Sequence, residues 1–381
     1  MTKLNTIFIY TPTWLEFGGG EKYILLLAEV LSNQPHVKVT LLLDEPGITE
    51  SKLKNFSQTD LKNIECINIG STNELKVITA NADIFICLSN YKKITSSARI
   101  HVQLLQIPYG KINGLSILAK FISGKLKEGL KDLFPLRLLS FSRAIADLVI
   151  ANSEFVNNTL QKYYGINSQT LYPPIQDYYV QGSSKKKIII SVGRFFSGLY
   201  NEKRYDILTE AFRMEFYAEL KDWEYHIIGN AKNDLKTKMI LSLLKEKNKT
   251  YPIYFHVNAN HDTLKRIYNE AAIFWHGAGY GVDENIHPEN VEHFGMTTVE
   301  AMSAKCIPVV INKGGQCESV STGINGFLWN TIEELISYSV DIAQKKIPLS
   351  YLRDNARKRY SDFNITKFQV SVIELFSPLL N

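Results

Sequence analysis

The chain has 381 residues, past the length at which a single hydrophobic core stops growing, so two domains of similar size are expected. Hydrophobic residues make up 45% and charged residues 21%, which excludes extensive disorder, and a formal net charge of +5 is too mild for a dedicated nucleic-acid binder. Cys66, Cys87, Cys306 and Cys317 lack any CxxC spacing, which argues against a zinc knuckle or a disulfide framework and suits a reducing cytoplasm.

The opening MTKLNTIFIYTPTW is too short and too weakly charged for a signal peptide. No apolar run approaches a bilayer crossing, so any membrane contact is expected to be peripheral. A strand at Thr6–Tyr10 is followed by Gly18-Gly19-Gly20 and a helical period through Glu21–Leu31. Gly19 and Gly20 ahead of a helix permit close approach of the backbone to a ligand, although a flexible turn explains the same glycines. Strands at Val37–Leu43 and Ile84–Leu88 continue the alternation, which implies a parallel sheet with crossover helices.

The segment Lys111–Phe134 places Leu115, Leu118, Ile122, Leu126 and Leu130 near helical period, among five lysines. It fits either docking on an anionic membrane surface or packing on the N-terminal domain, and Gly114, Gly124 and Gly129 weaken it as a helix. A helix over Leu136–Asp147 leads into an apolar strand, Leu148–Ala151, and Asn152-Ser153-Glu154-Phe155 offers a cap for the next helix. Pro173-Pro174, Gly182-Ser183-Ser184 and three lysines then break the pattern. The expected division is residues 1–180 as a first domain, 181–360 as a second, and 361–381 as a helix crossing back to the first.

The second domain reads as strands at Lys187–Val192, Trp223–Ile228, Ile253–Val257, Ala272–His276 and Ile307–Ile311. Helices are expected near Tyr205–Phe212, Asp234–Lys247, His261–Glu270, Thr298–Ala304, Ile332–Lys345 and Asn364–Leu380. Two Rossmann-like, doubly wound α/β domains facing each other across a cleft are the expected architecture, with ligands beyond the carboxyl ends of the strands.

Two features of this half carry chemistry. Arg194 and Lys203 lie just past the end of the Lys187–Val192 strand, where cations neutralise a pyrophosphate and stabilise it as a leaving group, although loop cations are usually solvated. Downstream, EHFGMTTVE sets Glu292 and Glu300 on either side of a helix start. Thr297 and Glu300 match a capping box, and Phe294-Gly295-Met296 exposes amides prepared for phosphate. Carboxylates beside such an anion site must meet neutral hydroxyls, so a ribose and a hexose flanking a pyrophosphate fit the pattern.

Taken together, Gly18-Gly19-Gly20-Glu21, Asn152-Ser153-Glu154-Phe155, Tyr172-Pro173-Pro174, Ser191-Val192-Gly193-Arg194 with Lys203, Glu292 to Glu300-Ala301-Met302, Gly314-Gly315 and Gly323-Ile324-Asn325-Gly326 resemble the retaining glycosyltransferases of family 4, also described as glycosyl transferases group 1, with the GT-B fold. The resemblance implies a hexosyltransferase moving a sugar from a nucleotide-diphosphate donor to a hydroxyl acceptor, in surface polysaccharide, glycolipid or lipid-linked glycan synthesis. It implies that Arg194 and Lys203 contact the pyrophosphate, Glu300 the ribose and Glu292 the transferred sugar, with backbone amides of Phe294, Gly295 and Met296 completing the cradle. Neither metal nor other cofactor is implied, and the protein is expected in the cytoplasm, peripheral on the inner face of the membrane. Rival readings are a sugar-nucleotide hydrolase or epimerase on the same fold, and a non-catalytic nucleotide-sugar-binding subunit.

The chain departs from the family pattern twice. Relatives often carry histidine where Gln106 stands, which leaves Gln106 and His101 as acceptor-side candidates, His101 also reading as a packed strand-end residue. The loop GAGYGVDENIHPENV is long, and a metal cluster of Asp283, Glu284, His287 and His293 can be drawn in it. Its spacing matches no zinc or calcium pattern, and a solvated loop shaping the donor-sugar pocket explains it.

Overall fold

The computed structural model describes residues 4–12, 19–45, 47–57, 59–90, 94–111, 122, 146–195 and 202–380. Gly18, residues 136–145 of the expected helix and the basic segment 111–134, apart from Lys111 and Ile122, lie outside them. The chain divides into two units, Met1–Pro174 with Ile365–Asn381, and Ile175–Asn364.

In the first unit, strands β1 (Asn5–Tyr10), β2 (Val37–Leu43), β3 (Ile64–Asn68), β4 (Ile84–Leu88), β5 (Ile100–Leu105), β6 (Leu148–Ala151) and β7 (Gln169–Thr170) form one sheet in the order β3-β2-β1-β4-β5-β6-β7. The described pairings are all parallel. Strands covered on both faces must be apolar throughout, and β4, IFICL, is buried along its whole length. The helix Glu154–Tyr164 starts on Ser153, whose hydroxyl accepts from Val156 N, and stops at Gly165, whose φ of 64° suits the left-handed turn.

The last helix, Ile365–Leu380, buries Phe368, Val372 and Phe376 in the first unit's core, and Phe368 meets Tyr23 of helix Gly19–Ser32 edge to face at 5.4 Å. Asn5 Nδ2 donates to Leu380 O at 2.7 Å, tying the two chain ends together.

The second unit holds β8 (Lys186–Val192), β9 (Glu224–Gly229), β10 (Ile253–Val257), β11 (Ala271–His276), β12 (Ile307–Ile311) and β13 (Phe327–Trp329), in the order β10-β9-β8-β11-β12-β13 and again parallel. Both sheets reverse strand order beside their first strand, between β1 and β4 and between β8 and β11, which is where doubly wound sheets open a crevice. Behind the second sheet, Trp275 is fully buried and its indole N–H donates to Ser339 Oγ at 2.8 Å. The helix expected to end at Phe212 is α-helical over Tyr205–Ala211 and widens into a π turn over Phe212–Phe216, bringing Phe212 and Phe216 against Trp275. No described helix is long and apolar enough to cross a membrane.

Removing the Phe376 ring from the last helix leaves a void in the first unit's core. Phe376→Ala is expected to cost about 3–5 kcal/mol, read as a lowered urea midpoint; an unchanged midpoint contradicts this packing.

Candidate active site

The second sheet's reversal brings the carboxyl ends of β8 and β11 side by side, so Gly193-Arg194 and His276 share one crevice. Gly193 donates to Ile228 O at 2.9 Å, and a Cβ on Gly229 would fall 1.7 Å from Gly193 O, so these two strand ends close on each other only as glycines. A Cβ on Gly193 would meet the Lys203 stem at 2.9 Å and the Tyr205 hydroxyl at 2.8 Å. The bare backbone at Gly193 is therefore what lets Lys203 lie across the end of β8.

There Lys203 Nζ donates to Glu292 Oε2, which also accepts from His276 Nε2 at 3.1 Å. Side-chain exposure is 13% for Lys203, 11% for Glu292 and 3% for His276, so the three form a nearly dry cluster. An ionised carboxylate can only accept, so the imidazole proton facing Glu292 is carried on Nε2, and Nδ1 lies 3.0 Å from the Gln316 side-chain amide. Burial alone would raise the Glu292 carboxyl, but the Lys203 ammonium and the His276 hydrogen bond overcome it and hold the carboxyl well below its usual range. Burial holds His276 below its ordinary value, with Lys203 adding to the effect against the opposing pull of Glu292.

Two glycines fix where Glu292 stands. Gly315 N donates to Glu292 O at 2.8 Å, and side chains on Gly314 or Gly315 would run into the backbone of Glu292 and His293 at 2.2 and 2.3 Å. The long loop before Glu292 is tied down at several points. Arg204 Nη1 donates to Tyr280 O at 2.7 Å, and Gly314 N donates to Glu284 Oε2 at 2.7 Å. His287 faces Glu289 and His293 faces Glu289 O, so the acidic and histidine side chains of this loop brace it. Among the described residues, no His, Cys, Asp and Glu side chains gather as a metal-binding group.

The helix after Glu292 corrects the expected capping box. It runs Met296–Ser303, its N-cap is Gly295 at φ 95°, and no side chain caps it; Thr297 is already inside the first turn. Gly295 makes the turn instead, its carbonyl accepting from Thr298 N and Val299 N. Glu300 consequently caps nothing: Oε2 accepts from the Tyr268 hydroxyl at 2.9 Å. Phe294 is buried against Phe363, while Met296 and Thr297 lie half-buried on the first turn. That turn presents its amide end, with the helix dipole, beside two carboxylates.

Arg194 is exposed at the end of β8 and lines a cavity of about 370 Å³ with Lys203, Arg204, Tyr205 and Leu244. The Tyr205 hydroxyl in its wall is buried without a hydrogen-bond partner. Gly19, Gly20, His101 and Gln106 belong to the first unit. Gly20 there faces Gln106, whose Oε1 would be 3.0 Å from an added Cβ. His101 is the second residue of β5, edge to face with Phe85 at 5.2 Å, whereas Gln106 directly follows the carboxyl end of that strand and receives Asn90 Oδ1 on its backbone N–H. Only Gln106 is at the end where such sheets bind ligands. Sequence reasoning passed over His276, Gln316 and Tyr268; the polar residue closing the apolar strand AAIFWH was the available signal for His276.

Residues 180–359 match the family model described as glycosyl transferases group 1. The chain is 24% identical over 266 residues to a GDP-Man:Man(3)GlcNAc(2)-PP-Dol alpha-1,2-mannosyltransferase of Dictyostelium discoideum, covering 64% of this chain and 48% of that one. It is 25% identical over 258 residues to the Homo sapiens protein of the same name, covering 61% and 49%. The chain thus spans about half the length of these curated relatives or less. Among solved structures, Anabaena Alr3699/HepE with UDP and glucose superposes with a TM-score of 0.68 at 15% identity, over 98% of this chain and 100% of that one. A glycosyltransferase from Rickettsia africae ESF-5 gives 0.71 at 18% identity over the whole of both chains. These likenesses establish the GT-B fold.

Lys203→Ala leaves the Glu292 carboxylate buried beside a neutral imidazole and is expected to cost about 3–5 kcal/mol in denaturant unfolding. Adding Glu292→Gln should recover part of that loss, and strict additivity would contradict the coupling. His276 has its own pH signature. Below its ordinary value of 6.5 the unfolded chain takes up a proton that the folded chain refuses, so stability falls with pH by up to about 1.4 kcal/mol per unit. Glu292 acts in a lower window: its contribution is complete above 4.5 and lost as pH falls through its lowered folded value. His276→Asn should therefore flatten the stability curve below about pH 6.5; an unchanged slope contradicts a buried neutral imidazole.

Proposed function

With residues 180–359 matching the glycosyl transferases group 1 model, we propose that the chain is a retaining hexosyltransferase of that family, taking its sugar from a nucleoside diphosphate and passing it to a hydroxyl of a lipid-linked or surface glycan. The observation carrying this reading is the ionised Glu292, held by Lys203 and His276 beside the amide end of helix Met296–Ser303. Arg194, Lys203 and that amide end meet the diphosphate, and Glu300, steadied by Tyr268, takes the ribose hydroxyls. Glu292 takes hydroxyls of the transferred sugar. GDP-mannose is the favoured donor, because the curated relatives are named for it and for a PP-Dol-linked acceptor. A PP-Dol-linked acceptor, as in the relatives' names, favours work at a membrane surface, and we place the protein there peripherally, on the cytoplasmic side.

Retention is assigned to front-face attack, in which the departing phosphate oxygen accepts the acceptor's proton. A double displacement needs a carboxylate free to attack the anomeric carbon. Glu292 is a poor nucleophile, because one of its oxygens already accepts from an ammonium and an imidazole N–H. Arg194 and Lys203 supply the positive charge that a divalent ion provides in other transferases, so turnover is expected to be unchanged by EDTA.

A thermal-shift panel of nucleotide sugars tests the donor. GDP-mannose at 100 times its Kd should stabilise the fold by about 2.7 kcal/mol, while UDP-glucose gives a smaller shift, and Glu300→Ala should reduce the GDP-mannose shift. No shift with any nucleotide sugar contradicts the proposal; rapid hydrolysis of the donor without acceptor favours a hydrolase. Arg194→Ala is expected to lower kcat/KM at least tenfold, and an unchanged value removes Arg194 from the site.

A further inference from the structure

Helix Leu235–Asn248 of the second unit follows β9, capped by Asp234, whose carboxylate accepts from Thr237 N at 2.8 Å. Its inner edge is narrow: Thr237, Leu241 and Asn248 are buried, and Ile240 and Leu244 are half-buried. The outer face carries large apolar side chains four residues apart, Leu235, Met239 and Leu243, exposed by 86%, 65% and 60%. Isolated exposed leucines are ordinary, but a continuous apolar ridge over two turns of a surface helix needs an occupant.

Helical periodicity places Lys238 and Lys245 along one side of this ridge and Lys236 along the other, where Lys247 is paired with Glu210. Glu246 lies at the ridge's far end and is paired with Lys249. A convex apolar ridge with cations on both flanks matches a plane that is apolar in depth and anionic at its surface. A protein groove would instead have to supply acidic groups on both walls. We propose that helix Leu235–Asn248 docks the C-terminal unit on an anionic membrane surface, with Leu235 and Met239 entering the headgroup boundary and Lys236, Lys238 and Lys245 meeting lipid phosphates. Leu243 and Lys247 also line the cavity beside Arg194 and Lys203, so the ridge runs from the rim of that cavity outward to Leu235.

The test is co-sedimentation of the full chain with vesicles of phosphatidylcholine, with and without about one third phosphatidylglycerol. Wild type should bind the anionic vesicles, not the neutral ones, and release at about 0.5 M salt. Leu235→Ser/Met239→Ser and Lys236→Gln/Lys238→Gln should each weaken binding at least tenfold. Unchanged thermal unfolding in both variants should show that the fold is intact. The proposal is overturned if wild type fails to bind, or if Leu235→Ser/Met239→Ser binds as well as wild type. It is equally overturned if light scattering shows a dimer that this variant loses, since the ridge would then seat a second copy.

Discussion

The second unit is organised around one buried carboxylate. Glu292 has left water, and that is tolerable only because Lys203 and His276 both point at it. Each partner imposes its own demand on the chain. Lys203 can reach only across a residue without a side chain, hence Gly193; His276 is braced from behind by the Gln316 amide; and the carboxylate's own backbone is pressed into position by Gly314-Gly315. Replacing such a cluster with apolar side chains would be neutral or stabilising in many proteins, so its presence at a strand-order reversal, where such sheets bind ligands, points to use rather than to structure.

The same geometry explains a division of labour between the two glutamates. Glu292 sits dry, with two donors on one oxygen, and its charge is locked. Glu300 is half-buried in the first turns of the following helix and accepts from the neutral Tyr268 hydroxyl. Between them stands an uncapped helix end. An anion there is flanked by carboxylates that are each already oriented, which limits repulsion and leaves acceptor capacity for neutral hydroxyls.

Much of this was legible beforehand, for physical reasons. Parallel strands covered on both faces read as apolar runs, so Ile84–Leu88 and Ile307–Ile311 stand out in the sequence. Edge strand Ile64–Asn68 is half-exposed and reads IECIN, and the helix Leu349–Tyr360 is so rich in charge that only Leu352, Ala356 and Tyr360 are buried; neither presents a clear period. Glu292, Glu300, Arg194 and Lys203 were visible from their positions after strands and before a helix. Their pairing was not: the contact of Lys203 with Glu292 spans 89 positions and depends on which strand ends adjoin. The capping box failed because the glycine two residues before Thr297 had already turned the chain, a choice of backbone conformation that local side-chain pattern does not reveal.

Attachment of a diphosphate at the amide end of helix Met296–Ser303 is the claim that everything else requires, and a crystal structure with GDP-mannose tests it most directly. The account predicts phosphate oxygens on the Met296 and Thr297 amides and on Arg194, with mannose hydroxyls on Glu292 and ribose hydroxyls on Glu300. A diphosphate seated elsewhere, with the Glu292 cluster out of its reach, would contradict it.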